Sequence, residues 1–230
     1  MKLNFLGNGS GFSSTHTGAY FIYDNDLIII DCSMLNLHKI LALNPTKFNN
    51  IYLLITHMHD DHVSGMGLLA QYLYYIYNKN TFTIISPSYE LKHIIEKEFK
   101  IKGISENLYK LETVGDNYYE WLVDSILTSH VPELEGQCYG YDLIVDGVNV
   151  VYSGDTNTLD PYLNYLISGS EFYVDVSANY GNVHLKYDDV AKKLNELVYN
   201  NIDIYIMHID NEKDIREKIK GTKINIAEIF

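Results

Sequence analysis

The chain is poor in cysteine and proline. Its 230 residues include 2 cysteines and 4 prolines. Cys32 and Cys138 cannot supply the disulfide framework of a small secreted domain, which favours a reducing cytoplasm. The prolines are scattered, and no low-complexity segment separates one part of the chain from another. We therefore expect one domain over residues 1–230.

Positive charge and long apolar runs are also scarce. The sequence has 17 Lys and Arg against 30 Asp and Glu, a formal net charge of −13. Binding to a phosphate backbone needs clustered Lys and Arg, so this balance counts against extended nucleic acid as a partner. No apolar run approaches the roughly 18 residues of a membrane span, and the N-terminal MKLNFLG predicts a short strand rather than a secretion signal. These absences predict a cytoplasmic protein with no membrane association.

Apolar runs and turn signals predict an α/β fold. We expect strands at 3–6, 51–56, 81–86, 124–129, 172–176 and 202–207, and hairpins over 19–31 and 141–153. Helices are expected at 66–77, 89–100 and 187–199. Both hairpins lead into an apolar strand and then an aspartate, Asp31 or Asp155. This echo suggests two similar halves, with sheets packed together and helices outside.

The strongest chemical signal is the segment THMHDDH at 56–62, which follows a predicted strand and precedes a predicted helix. Imidazole nitrogens and carboxylate oxygens are the usual ligands of zinc and similar divalent ions. In an extended segment the side chains of His57 and His59 point to the same side, so they can bind one ion together. Asp61 and His62 lie where the chain turns into the helix and can face a second ion.

Three further candidate ligands stand at strand ends. His130, Asp155 and His208 each follow an apolar run. A lone histidine in such a place is usually structural, but an α/β architecture gathers the loops after its strands into one crevice. We therefore expect these three side chains to meet the 56–62 segment.

This set, in this order, resembles the ligand set of the metallo-β-lactamase superfamily. The resemblance implies a four-layer αββα sandwich that holds two divalent ions, zinc in the first place and manganese as the alternative. It implies that one ion is bound by His57, His59 and His130, that the other is bound by Asp61, His62 and His208, and that Asp155 bridges them. Asp31 resembles the family's buried aspartate that orients the metal-binding loop, although a turn aspartate at a strand end explains it equally well.

Two further segments resemble the ribonuclease Z and related phosphodiesterase branch. One runs from Ser129-His130 to Gly140-Tyr141, and the other is Val183-His184-Leu185 before a predicted helix. The second implies that His184 donates a proton to the leaving group, the alternative being a surface histidine beside a helix start. Ribonuclease Z inserts a long tRNA-gripping arm between the equivalents of His130 and Asp155. Here Asp155 follows His130 by only 25 positions, which the predicted hairpin fills.

We therefore predict a metal-dependent hydrolase, foremost a phosphodiesterase that cleaves a small anionic substrate such as a nucleotide or cyclic nucleotide. Two close metal ions can share a water or hydroxide and lower its pKa toward neutrality, which generates the nucleophile. Asp61 would orient that nucleophile and His184 would protonate the leaving alkoxide. Compact members of the resembled branch include cyclic-nucleotide phosphodiesterases, among them phage-borne enzymes that destroy defence signals. The resemblance also implies a homodimer.

Three alternatives stay open at this point. The same metal site could attack a thioester, lactone or other carbonyl substrate, which needs no proton donor placed like His184. A tRNA 3′-end endonuclease is disfavoured by the missing arm, and a non-catalytic nucleotide-binding module is disfavoured by the complete ligand set. Residues that touch the substrate are not assigned, although the glycine-bearing segment 7–11 is expected near the cleft; His16 lies downstream and is the weaker candidate for the same cleft. The four crowded tyrosines at 72–77 are expected foremost to be a mix of core and surface residues, the alternative being that some line the cleft or a subunit interface.

Overall fold

Two β-sheets form the centre of the computed structural model, which describes residues 1–229; Phe230 lies outside the described residues. The first sheet has six strands in chain order: β1 (Asn4–Gly7), β2 (Gly18–Tyr23), β3 (Asp26–Ile30), β4 (Ile51–Leu54), β5 (Phe82–Ser86) and β6 (Lys110–Thr113). The strands β1 to β3 pair antiparallel, and β3 to β6 pair parallel.

The second sheet has seven strands: β7 (Leu122–Thr128), β8 (Cys138–Val145), β9 (Val148–Tyr152), β10 (Glu171–Ser177), β11 (Leu185–Lys186), β12 (Asp203–Met207) and β13 (Asn225–Ile226). Its spatial order is β13-β12-β10-β9-β8-β7, and the short β11 pairs with the end of β10. The strands from β9 through β10 and β12 to β13 run parallel, so their carboxyl ends share one edge of the sheet.

Six α-helices cover the outer faces: α1 (Met34–Ala42), α2 (Asp60–Val63), α3 (Met66–Gln71), α4 (Tyr89–Ile101), α5 (Tyr187–Tyr199) and α6 (Glu212–Lys218). Serine side chains cap two of them, since Ser33 accepts a hydrogen bond from the backbone of Asn36 and Ser88 from that of Leu91. No helix among residues 1–229 is long and apolar enough to cross a membrane.

Three apolar interfaces separate four layers. On β3 the side chains alternate, so Leu27 and Ile29 face α1, α3 and α4, whereas Ile28 and Ile30 face the second sheet. The opposite face of the second sheet packs on α5 and α6 through residues such as Leu194 and Ile215. This is the predicted αββα arrangement. Strands buried on both faces explain why β3, β4 and β12 are so uniformly apolar.

The two predicted hairpin turns are present, and each is a two-residue loop with the backbone conformation that such loops require. Asp24 and Asn25 have φ of 45° and 69°, and Asp146 and Gly147 have φ of 48° and 73°. Positive φ at both central positions defines a type I′ turn, which matches the right-handed twist of the flanking strands. The aspartate, asparagine and glycine residues there tolerate the left-handed conformation.

The structure departs from the predicted elements where local pattern is weak. The predicted helix at 66–77 becomes π-helical over Tyr72–Ile76. Tyr72, Tyr74 and Tyr77 all pack on the core, Tyr75 is 65% exposed, and none of the four lines the cleft. Helix α1 and strand β6 were not predicted, because each is short and mixes apolar with polar residues.

Candidate metal centre

The structure brings all seven predicted ligands together at the strand ends. Four come from the loop and first helical turn after β4, and the other three follow β7, β9 and β12. The predicted ligands form two groups, and in each group the ligand atoms all lie within 4.8 Å of one another. The first group is His57, His59, His130 and Asp155; the second group is Asp61, His62, Asp155 and His208. Asp155 belongs to both groups, in the position predicted for a bridging carboxylate.

The first group offers three imidazole nitrogens and one carboxylate oxygen. His57 Nε2 lies 3.0 Å from His59 Nδ1 and 3.7 Å from Asp155 Oδ2. His130 Nε2 lies 3.6 Å from the same Asp155 oxygen. Four donors around zinc at 2.0–2.1 Å would be about 3.3 Å apart in a tetrahedron, so these spacings suit a small divalent ion.

The second group is equally close. His62 Nε2 lies 3.4 Å from Asp61 Oδ2 and 3.3 Å from Asp155 Oδ1. His208 Nε2 lies 3.2 Å from the same Asp61 oxygen and 3.3 Å from Asp155 Oδ2. His62 Nε2 and Asp155 Oδ1 are buried without a hydrogen-bond partner. A buried polar atom without a partner is costly, and a cation between these two atoms would satisfy both.

The buried carboxylates of the cluster also favour bound cations. Neither Lys nor Arg is among the residues that line the cavity, although it contains buried carboxylates. Burial disfavours a charge on His62 and His208, but Asp155 and neighbouring carboxylates outweigh it, and the pKa of His208 rises to about 10. Burial opposes ionisation of Asp155, yet His208 and His62 hold its pKa well below the usual range. Without ions, protonated histidines balance the carboxylates; divalent cations would take over that role.

Asp31 holds the metal-binding loop, as expected of an orienting aspartate. Its Oδ1 accepts the backbone N–H of Thr56 at 2.9 Å, and its Oδ2 accepts the Thr56 hydroxyl at 2.8 Å and His62 Nδ1–H at 2.7 Å. The Thr56 hydroxyl in turn accepts His57 Nδ1–H at 3.0 Å. These bonds fix the tautomers of His57 and His62, so that each presents Nε2 to the cluster.

His184 lies beside the cluster, on the segment between β10 and α5. Its ring centroid is 4.9 Å from that of His130 and 4.8 Å from that of His208. Its Nδ1–H donates to Asp175 Oδ2 at 2.7 Å. Burial disfavours its charge, but Asp175 and Asp155 raise the pKa of His184 above its usual range. The structure therefore places a protonatable imidazole next to the candidate metal site.

Asp175 is a site residue that the sequence analysis missed. It is fully buried at the end of β10, and besides His184 it accepts the backbone N–H of Thr156 at 2.9 Å. Its Oδ1 lies 3.6 Å from His208 Nδ1. A single aspartate in the otherwise apolar run FYVDVSA was the available signal, since a buried carboxylate needs partners.

One cavity of about 560 Å³ is lined by His59, Asp61, His130, Asp155 and His208 of the two groups, and by His184. Part of its wall is the loop before β2, which contributes Ser10, Gly11, Phe12 and His16; this agrees with the expectation for segment 7–11 and brings in His16, the weaker candidate. Gly11 lies so close to Asp61 that a Cβ would come within 2.9 Å of its Oδ2. The other wall includes Val131, Ser177, Tyr180, Val183 and Asp210, which the sequence did not reveal.

The segment between His130 and Asp155 is filled by a short helical turn at Pro132–Leu134 and by the β8–β9 hairpin. The Gly140-Tyr141 pair singled out in the sequence lies on β8. The Tyr141 hydroxyl donates to the carbonyl of Ile55, at the start of the metal-binding loop, and a Cβ at Gly140 would come within 2.4 Å of the Tyr152 carbonyl oxygen. The pair thus contacts the start of the metal-binding loop and does not form an RNA-binding arm.

A family model described as Anti-Pycsar protein Apyc1 matches residues 1–228. The chain belongs to this family. Among curated proteins, a ribonuclease Z from Methanococcus maripaludis is 31% identical over 99 residues, which are 41% of this chain and 32% of that protein. The chain thus matches about a third of the length of this curated relative.

Solved structures agree on the fold. The metallo-beta-lactamase fold protein YhfI from Bacillus subtilis superposes with a TM-score of 0.78 at 16% identity, covering 98% of this chain and 95% of that chain. The short form of human tRNase Z superposes with a TM-score of 0.68 at 14% identity, covering 100% of this chain and 97% of that chain. The chain has the metallo-β-lactamase fold, as the resemblance of its ligand set implied.

Proposed function

We propose that this chain is a dinuclear metallo-phosphodiesterase that hydrolyses a small nucleotide or cyclic nucleotide. The observation that carries the proposal is the position of His184. A histidine whose Nδ1 is held by a buried carboxylate stands beside two clusters of metal-type ligands in one cavity. Cleavage of a phosphodiester expels an alkoxide, and an acid at this place would protonate it.

The ligand atoms would bind two ions, for which zinc is the first candidate. His57, His59 and His130 would hold one ion, and Asp61, His62 and His208 the other, with Asp155 shared. When bound, the two ions lower the pKa of a water between them and neutralise charge on the phosphoryl oxygens. Two divalent cations exceed the charge of the two ligating carboxylates, so an anionic substrate can enter despite the acidic chain.

The chain's own residues supply orientation and proton transfer. Asp61 presents Oδ2 to the second group and, against Gly11, closes one side of the cavity; we assign it the orientation of the nucleophile. Asp175 keeps the Nδ1 proton of His184 in place, so that Nε2 is the atom that gives up a proton to the leaving oxygen. The half-buried apolar side chains of Val131 and Val183 also line the cavity and limit water there.

The cavity size and the family support a small substrate. About 560 Å³ lies in the range of pockets that enclose a single small ligand. The matched relatives are named ribonuclease Z, and ribonucleases cleave phosphodiesters, but here only a short helical turn and the β8–β9 hairpin lie between His130 and Asp155. The carbonyl alternative stays distinguishable with a thioester, because its thiolate leaves without the proton that His184 would supply.

The test is turnover of bis-p-nitrophenyl phosphate and a panel of cyclic nucleotides by the purified protein. We expect cleavage that a chelator abolishes and that added zinc or manganese restores. Thioesters, lactones and a chromogenic β-lactam are assayed in parallel. Silence on every diester by protein shown to contain metal, with turnover of a carbonyl substrate, would overturn the proposal.

Asp155→Ala is the negative variant for this assay, because it removes the carboxylate shared by both groups. His93→Ala is its matched control, since His93 lies on α4 outside the cavity with a side chain that is 70% exposed. Loss of turnover in the first variant and wild-type turnover in the second would tie the activity to this cluster.

A further inference from the structure

Two aromatic side chains on the rim of the cavity have no role in the chemistry proposed above. Phe12 is fully exposed, at 104%, and Tyr180 is 61% exposed. Both line the cavity that holds the candidate metal ligands. Exposed rings lose the stabilisation that burial would give them, so a pair at the mouth of one cavity suggests a ligand that covers them.

The first ring is presented by a fixed turn. The backbone N–H of Ser13 donates to the Ser10 carbonyl at 2.9 Å, which places Phe12 inside the turn. The same turn is tied to Ile209, whose carbonyl accepts the backbone N–H of Ser10 at 3.1 Å and the Ser13 hydroxyl at 3.2 Å. Phe12 therefore projects from backbone anchored to the residue that follows the ligand His208.

The second ring is also presented by backbone that hydrogen bonds hold in place. The Ser177 hydroxyl oxygen accepts the backbone N–H of Tyr180 at 2.7 Å and that of Asn179 at 3.0 Å. Asp210 accepts the backbone N–H of Ala178 at 2.7 Å. Both aromatic turns are thus braced on Ile209 and Asp210, immediately after His208. Rings on fixed backbone lose little conformational freedom when a ligand stacks on them.

The cavity therefore has a polar part and an apolar part. Its floor carries histidines and carboxylates, while its rim carries Phe12 and Tyr180 together with Val131 and Val183. A nucleotide has the same division, because a charged phosphodiester is linked through a sugar to a flat base with an apolar face. No Lys or Arg lines this cavity to recognise a second charged group.

From this arrangement we infer that Phe12 and Tyr180 form the binding surface for the nucleobase, on which the base stacks while its phosphodiester reaches the metal cluster. The inference rests on the proposed phosphodiesterase activity and deepens it, since it assigns the residues that bind the base of the nucleotide. The two residues determine specificity; they take no part in bond cleavage.

The test compares two diesters that differ only in the base: a nucleoside 3′,5′-cyclic phosphate and the 3′,5′-cyclic phosphate of 1-O-methylribose. Wild-type protein should prefer the nucleotide. Stacking of one base on an aromatic ring predicts that Phe12→Ala and Tyr180→Ala each lower kcat/KM for the nucleotide on the order of 10-fold, mainly through KM. Turnover of the base-free diester should be unchanged in both variants.

Conservative and distant variants sharpen the comparison. Phe12→Tyr and Tyr180→Phe keep a ring and should keep the preference for the nucleotide. Tyr199→Ala removes a ring that is 92% exposed at the end of α5 and should change neither substrate. Melting temperatures of the alanine variants should match that of the wild type, because both rings are exposed.

The outcomes separate this inference from the proposed function. Equal losses on both diesters, or no loss on either, would overturn the stacking role while the base-free diester still demonstrates diester hydrolysis. Failure of wild-type protein to cleave either diester would remove the proposed function and the inference together. Loss confined to the nucleotide supports both.

Discussion

Asp175 Oδ2 lies 2.7 Å from His184 Nδ1, and the same oxygen accepts the backbone N–H of Thr156, the residue after the shared ligand Asp155. One buried carboxylate therefore fixes the candidate proton donor relative to the candidate metal bridge. Because the imidazole gives its Nδ1 proton to this bond, the opposite nitrogen is left for the substrate. Asp175 is a positioning residue in this scheme, because it acts on the leaving group only through His184.

The first prediction concerns the leaving group. His184→Ala should lower kcat on a cyclic nucleotide by about 10²–10⁴-fold, the usual contribution of a positioned general acid. The loss on bis-p-nitrophenyl phosphate should be far smaller, because p-nitrophenolate leaves without needing a proton. Asp175→Asn should show the same dependence on leaving group with a smaller loss. The measurement is kcat for both substrates at matched metal content, and an equal loss on both would contradict the assignment of His184.

The second prediction concerns metal content. Wild-type protein reconstituted with zinc and freed of excess should retain two equivalents by elemental analysis, because the seven predicted ligands form two groups. His57→Ala removes a ligand of the first group alone and should retain about one equivalent, whereas Asp155→Ala should retain less than either. Added zinc should raise the melting temperature of the wild type and raise that of Asp155→Ala much less.

The third prediction concerns Asp31, which holds Thr56 and His62 without belonging to either ligand group. Asp31→Asn keeps the size of the side chain but weakens its bond to His62, so affinity for the second ion should fall about 10- to 100-fold. Competition with a chromogenic chelator measures this affinity. Asp24→Asn is the matched control, since Asp24 is an exposed turn residue with φ of 45° that asparagine tolerates. A wild-type affinity in Asp31→Asn would show that Asp31 is only a turn residue.

Much of this site could be predicted from the sequence because its ligands share a simple rule of placement. His130, Asp155 and His208 each end an apolar strand, and the ends of parallel strands in one sheet lie at the same edge. The segment 56–62 joins them because the strand before it ends at Leu54, where the chain leaves the sheet. The assigned metal ligands and the roles of Asp61 and His184 stay predictions, as do the homodimer and the cytoplasmic location.

Asp175, Phe12 and Tyr180 escaped prediction for a physical reason. The importance of Asp175 comes from burial next to His184 and His208, which lie 9 and 33 positions further along the chain. Phe12 and Tyr180 are brought to one cavity by hydrogen bonds to Ile209 and Asp210, contacts between distant segments that leave no local pattern. Hydrophobic periodicity in the sequence indicates which residues are buried. It does not indicate which loops form hydrogen bonds to the same segment.

The last prediction concerns a buried carboxyl far from the metal cluster. Asp142 on β8 lies directly opposite Asp124 on β7, and its side chain accepts a hydrogen bond from Asn149. Burial, with a further contribution from Asp124, raises the pKa of Asp142 to about 6 against the ordinary 3.8. The folded state therefore binds this proton more tightly than the unfolded state does, and ionisation of Asp142 destabilises the fold.

The sign of the pH dependence follows directly. Below about pH 4 Asp142 is protonated in both the folded and the unfolded state and does not affect stability. Between about pH 4 and 6 the free energy of unfolding falls as the pH rises. Above about pH 6 Asp142 is ionised in both states, and the loss of free energy of unfolding reaches its full value, on the order of 2–3 kcal/mol. Asp142→Asn removes the charge and can still accept from Asn149. It should therefore raise the free energy of unfolding at pH 7.5 by up to that amount, and the difference from wild type should shrink as the pH falls toward 4.

Urea unfolding at pH 7.5, 6, 5 and 4 measures this difference. Asp203→Asn, at an exposed position on β12, is the control and should leave the difference from wild type close to zero at every pH. The comparison uses differences between variants, so protonation of the metal ligands at low pH affects all three proteins alike. A gain in Asp142→Asn that is the same at every pH would mean that the substitution improves packing, and that the Asp142 carboxyl does not titrate in this window.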